Sequence, residues 1–231
     1  MFSPAGKARL RSQQGVKVIC WSCEKEGGQG PFCRSCKAIL PPAATDDRFA
    51  VLGLPRKFEV DLTAAESAYK DLSRRLHPDR FAKADPRARK AALARTVEIN
   101  DAWRTVKDPV KRAAYLLELA GFGLAGDDHK GADETRATKQ VAAPPTFLIE
   151  ILELREDLVE AQRAGDTVKV AAMADDMRRR ADEAMKTIGA ALEAGEFEEG
   201  ARSLVALRYY QRFLDEVAVH DERALSGGDR G

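Results

Sequence analysis

Residues 61–108 read DLTAAESAYKDLSRRLHPDRFAKADPRARKAALARTVEINDAWRTVKD, and the punctuation of this stretch decides the fold. Leu62, Ala65, Tyr69, Leu72 and Leu76 recur at steps of three and four, the spacing of one face of an amphipathic helix. Asp61 stands where an N-cap belongs. Lys70, Arg74 and Arg75 fall on the opposite face. Pro78 stops the helix, because proline has no N–H and pushes the preceding residue, His77, away from α geometry. Asp85-Pro86 starts the next helix as a cap followed by proline at the first position. Ala92, Thr96, Ile99, Trp103 and Val106 then line one face. Two antiparallel helices joined by a tight turn would present His77, Pro78 and Asp79 on a rigid, exposed support. A lone His-Pro-Asp tripeptide is ordinary turn chemistry; its place between two such helices, the first with a basic face, makes it specific.

The helical pattern extends in both directions. Asp46 and Asp47 suit the first turn of a short helix through Phe49, Val51 and Leu52, stopped by Gly53 and Pro55. Asp108-Pro109 opens a further helix through Ala114 and Leu117, closed by Gly121. Residues 46–123 therefore form one helical domain. Residues 124–145 show no periodicity, contain Pro144-Pro145 and read as a flexible linker. After it, Gly165-Asp166 and Gly195-Glu196 divide three helical stretches, 146–164, 166–194 and 197–225, the plan of an antiparallel three-helix bundle. The class is all-α.

All four cysteines lie near the amino terminus, as Cys20-Trp21-Ser22-Cys23 and Cys33-Arg34-Ser35-Cys36 around the glycine-rich turn of residues 27–31. Two C-x-x-C knuckles offer four thiolates in tetrahedral reach, which closes the coordination sphere and makes the metal structural. Residues 20–42 are read as a zinc module; iron or a cluster on the same thiolates, a redox pair and two disulfides are the alternatives. Metal removal is expected to unfold the module and leave the helical domain standing. Residues 1–19 form a basic tail, with a short organellar presequence as the rival reading.

Composition excludes several classes. Charged residues make up 32% and aromatics 6% of 231 residues, which suits helices better than sheets. Lys and Arg outnumber Asp and Glu by seven to two in residues 1–45, and acids outnumber bases by eighteen to eleven in residues 144–225. The two ends thus suit different partners. No apolar run approaches the roughly 20 residues that span a bilayer, so no membrane partner is expected. There is no P-loop, H-E-x-x-H, G-x-S-x-G or dinucleotide fingerprint, and the chain is not read as an enzyme. Of three histidines, His129 beside Asp128 reads as a solvated linker residue.

Phe49 to Phe122 resembles a J-domain, with His77-Pro78-Asp79 as its signature and Ile99-Asn100-Asp101-Ala102-Trp103 similar to its third-helix pattern. A closer resemblance is to the HscB family of J-type co-chaperones in iron–sulfur cluster assembly. It rests on Leu52-Gly53-Leu54-Pro55, His77 to Phe81, Tyr115 to Leu119, Phe147 to Leu158 and Arg212-Phe213-Leu214-Asp215. The cysteine module resembles the amino-terminal metal domain of the mitochondrial members, which compact bacterial members lack.

That resemblance implies a function. His77, Pro78 and Asp79 would trigger the ATPase of a DnaK/HscA-type chaperone, while Lys70, Arg74, Arg75 and Arg80 hold its acidic surface; an ordinary solvated face is the competing account of the basic residues. The bundle would hold the scaffold protein IscU through Leu148, Ile149, Leu152, Glu153, Arg155, Glu156 and Phe213. The helix from Phe147 has more apolar positions than one buried stripe requires, and membership of the bundle core competes for half of them. Leu154 and Leu158 are assigned to the core, as are Met173, Met177 and Met185. The expected compartment is the bacterial cytoplasm, with the mitochondrial matrix as the alternative. A zinc-ribbon protein binding nucleic acid through its basic front is the rival function; it leaves His77-Pro78-Asp79 unexplained. A general J-protein with many clients is a third reading, disfavoured by the dedicated bundle.

Overall fold

The computed structural model describes residues 18–28, 30–43, 47–124 and 139–227, with side chains as far as His220. Most of the basic tail, Asp46, the interior of the linker and His129 lie outside these residues. The chain divides into two compact units at Leu116–Leu117.

The first unit holds the cysteine module and four helices: α1 (Arg48–Val51), α2 (Leu62–Leu76), α3 (Pro86–Lys107) and the start of α4 (Pro109–Leu119). Each helix begins where the capping chemistry places it. Asp47, Asp61 and Asp85 accept from the backbone N–H of Ala50, Ala64 and Arg87, relieving donors that a helix start leaves unpaired. Pro78 ends α2 and opens a single 3-10 turn, Pro78–Phe81. The α2–α3 hairpin is pinned along its length. The Tyr69 ring stacks on Trp103 at 5.3 Å between centroids. The Tyr69 hydroxyl donates to Asn100 Oδ1 at 3.0 Å, and Thr96 Oγ1 donates to the Leu76 carbonyl. The core face runs as the spacing requires, except that Leu62, in the first turn of α2, is 45% exposed.

The cysteine module does not stand apart from this hairpin. Ile39 belongs to the same buried cluster as Leu76, Ala88, Ala91, Ala92 and Ile99, with Trp21 and Phe32 packed against it. Arg95, 5% exposed, reaches out of α3 into the module. Its Nε donates to the Leu40 carbonyl at 3.0 Å, and its Nη2 to those of Pro41 and Gly30 at 2.9 and 3.3 Å. Glu98 balances the charge at 2.7 Å. A buried guanidinium is tolerated because every face of it is paired. Module and helices therefore share a core, which argues against a module that unfolds alone.

The second unit is the bundle of α5 (Pro145–Ala164), α6 (Thr167–Ala194) and α7 (Phe197–Gly227). Gly165 and Gly195 cap α5 and α6 in the left-handed region, at φ 68° and 78°, as the Gly-Asp and Gly-Glu breaks predict. The core gathers Leu158, Ala161, Val170, Ala174, Met177, Phe213 and Val217, with Leu154, Met173, Tyr210 and Leu214 packed against it. Met185 is partly buried. The linker reading needs amendment. Phe122–Leu124 (β1) pairs in parallel with Lys139–Val141 (β2), in the register Phe122 to Lys139. Phe122 packs on Phe197, and Lys139 bridges to Glu198. Strands of three residues are too short for periodicity to reveal.

Candidate functional site

His77, Pro78 and Asp79 open the loop between α2 and α3. His77 caps α2 in an extended conformation, ψ 130°, imposed by the proline that follows. Its Nδ1 accepts from the backbone N–H of Asp79 at 3.4 Å and lies 3.5 Å from Asp79 Oδ2. The imidazole and carboxylate side chains are 57% and 89% exposed. Beneath them, Leu76 is fully buried and Phe81 packs against the same cluster. The loop is thus a presented pair of polar groups on an anchored turn. The basic residues stand beside it: Lys70, Arg74, Arg75 and Arg80 are all exposed. Lys70 pairs with Glu66 and both arginines with Asp71, along one helix face. Exposed pairs of this kind contribute roughly 0.3–0.5 kcal/mol each, so they are easily exchanged for other carboxylates.

The four cysteine sulfurs lie within 4.8 Å of one another. Cys20 and Cys36 are 3.6 Å apart and Cys23 and Cys33 are 3.7 Å apart, all four as free cysteines. A tetrahedral ion with metal–sulfur bonds of 2.3 Å sets its sulfurs about 3.8 Å apart, whereas a disulfide needs about 2.05 Å. The donor set fits a metal.

Two knuckles build it in the same way. The N–H of Glu24 donates to the Cys20 carbonyl and that of Lys37 to the Cys33 carbonyl. Both residues take positive φ, 59° and 63°, and paired bridges, Ile19–Glu26 and Phe32–Ile39, close each turn. Backbone N–H groups tune the thiols unequally. The Cys36 N–H holds Cys33 down to about 6, and the Ala38 N–H lowers Cys36. For Cys23 the Lys25 N–H favours the thiolate, but burial and the neighbouring thiols push it up to about 11. The backbone thus biases Cys33 and Cys36 toward the thiolate, and a cation would draw all four sulfurs into that form.

On the bundle, α5 has two apolar stripes. Ile151, Leu158 and Ala161 are buried and Leu154 is half-buried; Leu154, Leu158 and Ala161 pack with residues of α6 and α7. Leu148, Ile149, Leu152 and Val159 are 40, 56, 58 and 43% exposed. Glu153, Arg155 and Glu156 are exposed among them, and Arg155 forms a two-pronged pair with Glu216 of α7. Phe213 does not join this face. It is 1% exposed inside the bundle core, and its assignment as a client contact is corrected. Its spacing with Tyr210, Leu214 and Val217 is that of a core stripe. Val159, apolar by sequence but left out of the client face, continues the exposed stripe, and Arg95, to which sequence reasoning assigned no role, sits on the apolar stripe of α3.

Comparison with known proteins gives these features a common context. Residues 47–115 match the DnaJ domain family and residues 143–218 the family described as the HSCB C-terminal oligomerisation domain. The mouse iron-sulfur cluster co-chaperone protein HscB is 31% identical over 211 residues, covering 89% of this chain and 84% of its own length. The chain belongs to the HscB co-chaperone family. The HscB homologue of Cupriavidus taiwanensis is 33% identical over 178 residues, covering 77% of this chain and 95% of its own. The crystal structure of human HscB superposes with a TM-score of 0.73 at 26% identity, covering 88% of this chain and 98% of that one. An all-α chain with a J-domain, a helical bundle and a cysteine cluster is the HscB plan with a metal-ready front. No helix among the described residues is long and apolar enough to cross a membrane.

Proposed function

We propose that this HscB relative stimulates the ATPase of a DnaK/HscA-type chaperone and delivers to it the iron–sulfur scaffold protein IscU, promoting cluster assembly and transfer. The observation that carries the reading is the exposed His77-Pro78-Asp79 turn, held on a pinned hairpin beside a basic helix face. His77 and Asp79 supply a donor–acceptor pair that docks against the ATPase. Lys70, Arg74, Arg75 and Arg80 steer the encounter with an acidic surface. This chain makes and breaks no bond; hydrolysis belongs to the partner.

Leu148, Ile149 and Leu152 supply the apolar centre of the client face, with Glu153, Arg155 and Glu156 as its polar rim, the usual division in protein interfaces. Exposure of so many large apolar side chains on one stripe supports this use. The cysteines hold zinc in a structural role, an ion that suits four sulfurs and no open position. The setting is a bacterial cytoplasm, with the mitochondrial matrix as the alternative. Turnover of a DnaK-type ATPase with this protein, with the scaffold and with both tests the reading. The expected result is stimulation by both together well above the sum of each alone. Additive turnover, or none, overturns it.

A further inference from the structure

We infer that the cysteine module and α2 together form a basic cleft that receives an acidic segment of the partner ATPase. The docking face then extends beyond the J-domain, and the inference rests on the ATPase reading given above. The cleft, about 440 Å³, is lined by Phe32, Cys33, Arg34, Lys37 and Arg75. Three of these five residues are cations and none is a carboxylate.

Each cation is placed by the fold. The Arg75 guanidinium lies 5.2 Å from the Phe32 ring centre, which orients it across the seam between helix and module. The Arg34 side chain lies over Gly28. A Cβ there would stand 2.5 Å from Arg34 Nε, so only glycine leaves room for the side chain in this position. The backbone of Lys37 closes the second knuckle in the left-handed region, and among the described residues its Nζ reaches only the Arg34 carbonyl, at 3.3 Å. Arg34 has no ion pair among the described residues. Arg75 is already balanced by Asp71 at 3.3 Å, so Arg34 and Lys37 carry the unmatched charge of the cleft. Gathering like charges in one concavity is unfavourable unless an anion completes it, and arginine's forked donors match a carboxylate. Arg75 is also the last cation of the Lys70, Arg74, Arg75 face, so the cleft continues the surface on which the ATPase docks.

A nucleic acid fits less well. Single strands need free aromatic faces for base stacking. The Phe32 ring is already covered by Arg75, while Trp21 donates its indole N–H to the Ile39 carbonyl at 2.7 Å and packs on the core.

The test uses the full chain and a purified DnaK-type chaperone, with turnover titrated against co-chaperone concentration. Arg34→Gln with Lys37→Gln should raise the half-maximal concentration roughly three- to tenfold, leave the plateau intact, and lose its effect as salt screens the cleft. Arg34→Lys with Lys37→Arg should titrate like the parent, which shows that charge and not folding is read. Asp79→Asn should lose the plateau itself. An unchanged half-maximal concentration in the neutralised variant overturns the cleft while the ATPase reading stands. No stimulation by the parent overturns the ATPase reading and this inference with it. Binding of a single strand of about 16 nucleotides at physiological salt, lost in the neutralised variant, assigns the cleft to nucleic acid and overturns the inference.

Discussion

His77 and Asp79 are exposed, meet through the His77 Nδ1, and sit on a turn whose anchors are Leu76 and Phe81. Polar swaps at exposed loop positions stay within roughly ±0.5 kcal/mol of stability, so His77→Gln and Asp79→Asn should melt like the parent. Turnover of the partner ATPase should fall to its unstimulated rate in both. Lost stability with surviving stimulation would make the pair helix caps instead. Arg95 is the opposite kind of residue. Arg95→Ala takes the guanidinium from three module carbonyls and from Glu98, at a cost of about 2–4 kcal/mol by urea unfolding. Arg95→Lys should recover only part, because one ammonium cannot serve that many acceptors in a plane. The sequence displayed these two sites unequally. The tripeptide and the cysteine pairs are local signals, complete within a few residues. Arg95 lies at the i+3 and i−4 positions of Ala92 and Ile99, squarely on the apolar stripe. Among the many basic residues of α3 it passes for a solvated one, because the carbonyls that receive it are over fifty residues away.

The helices were the most legible elements, since aspartate caps, prolines and Gly-Asp or Gly-Glu breaks mark their ends within a turn. Which face each helix buries was less so. Both stripes of α5 are apolar, and only the packing of α6 and α7 against one of them sorts Leu158 from Leu152. The sorting has a direct test. Replacing Leu148, Ile149 and Leu152 together by Ala should leave circular dichroism and melting nearly unchanged while scaffold affinity falls at least tenfold, or about 1.4 kcal/mol. Leu158→Ala should instead destabilise the bundle by about 2–5 kcal/mol. A triple variant that binds the scaffold normally would put the client elsewhere. Phe213 shows the limit of motif resemblance: a matching tetrapeptide says nothing about which way an aromatic ring points.

The chain divides into two units, and the cysteines belong wholly to the first. Both tryptophans, Trp21 and Trp103, lie there as well, so their fluorescence follows that unit alone. With Ile39 in the J-domain core and Arg95 in the module, removal of metal by a chelator should lower the melting midpoint seen by fluorescence by at least about 5 °C. The bundle should keep its helical signal. A fluorescence midpoint that ignores chelation would mean that the module contributes nothing to the hairpin.

Arg95 also gives the direction of protein synthesis a consequence. The carbonyls of Gly30, Leu40 and Pro41 leave the ribosome before the arginine that needs them, Pro41 by 54 residues. At 5–20 residues per second, that lead is roughly 3–11 seconds, long compared with the closing of so short a loop. The carbonyls therefore wait for the arginine that will pair them. A rearranged gene that encodes the module last would reverse the order, and the nascent hairpin would carry a naked guanidinium until translation ended.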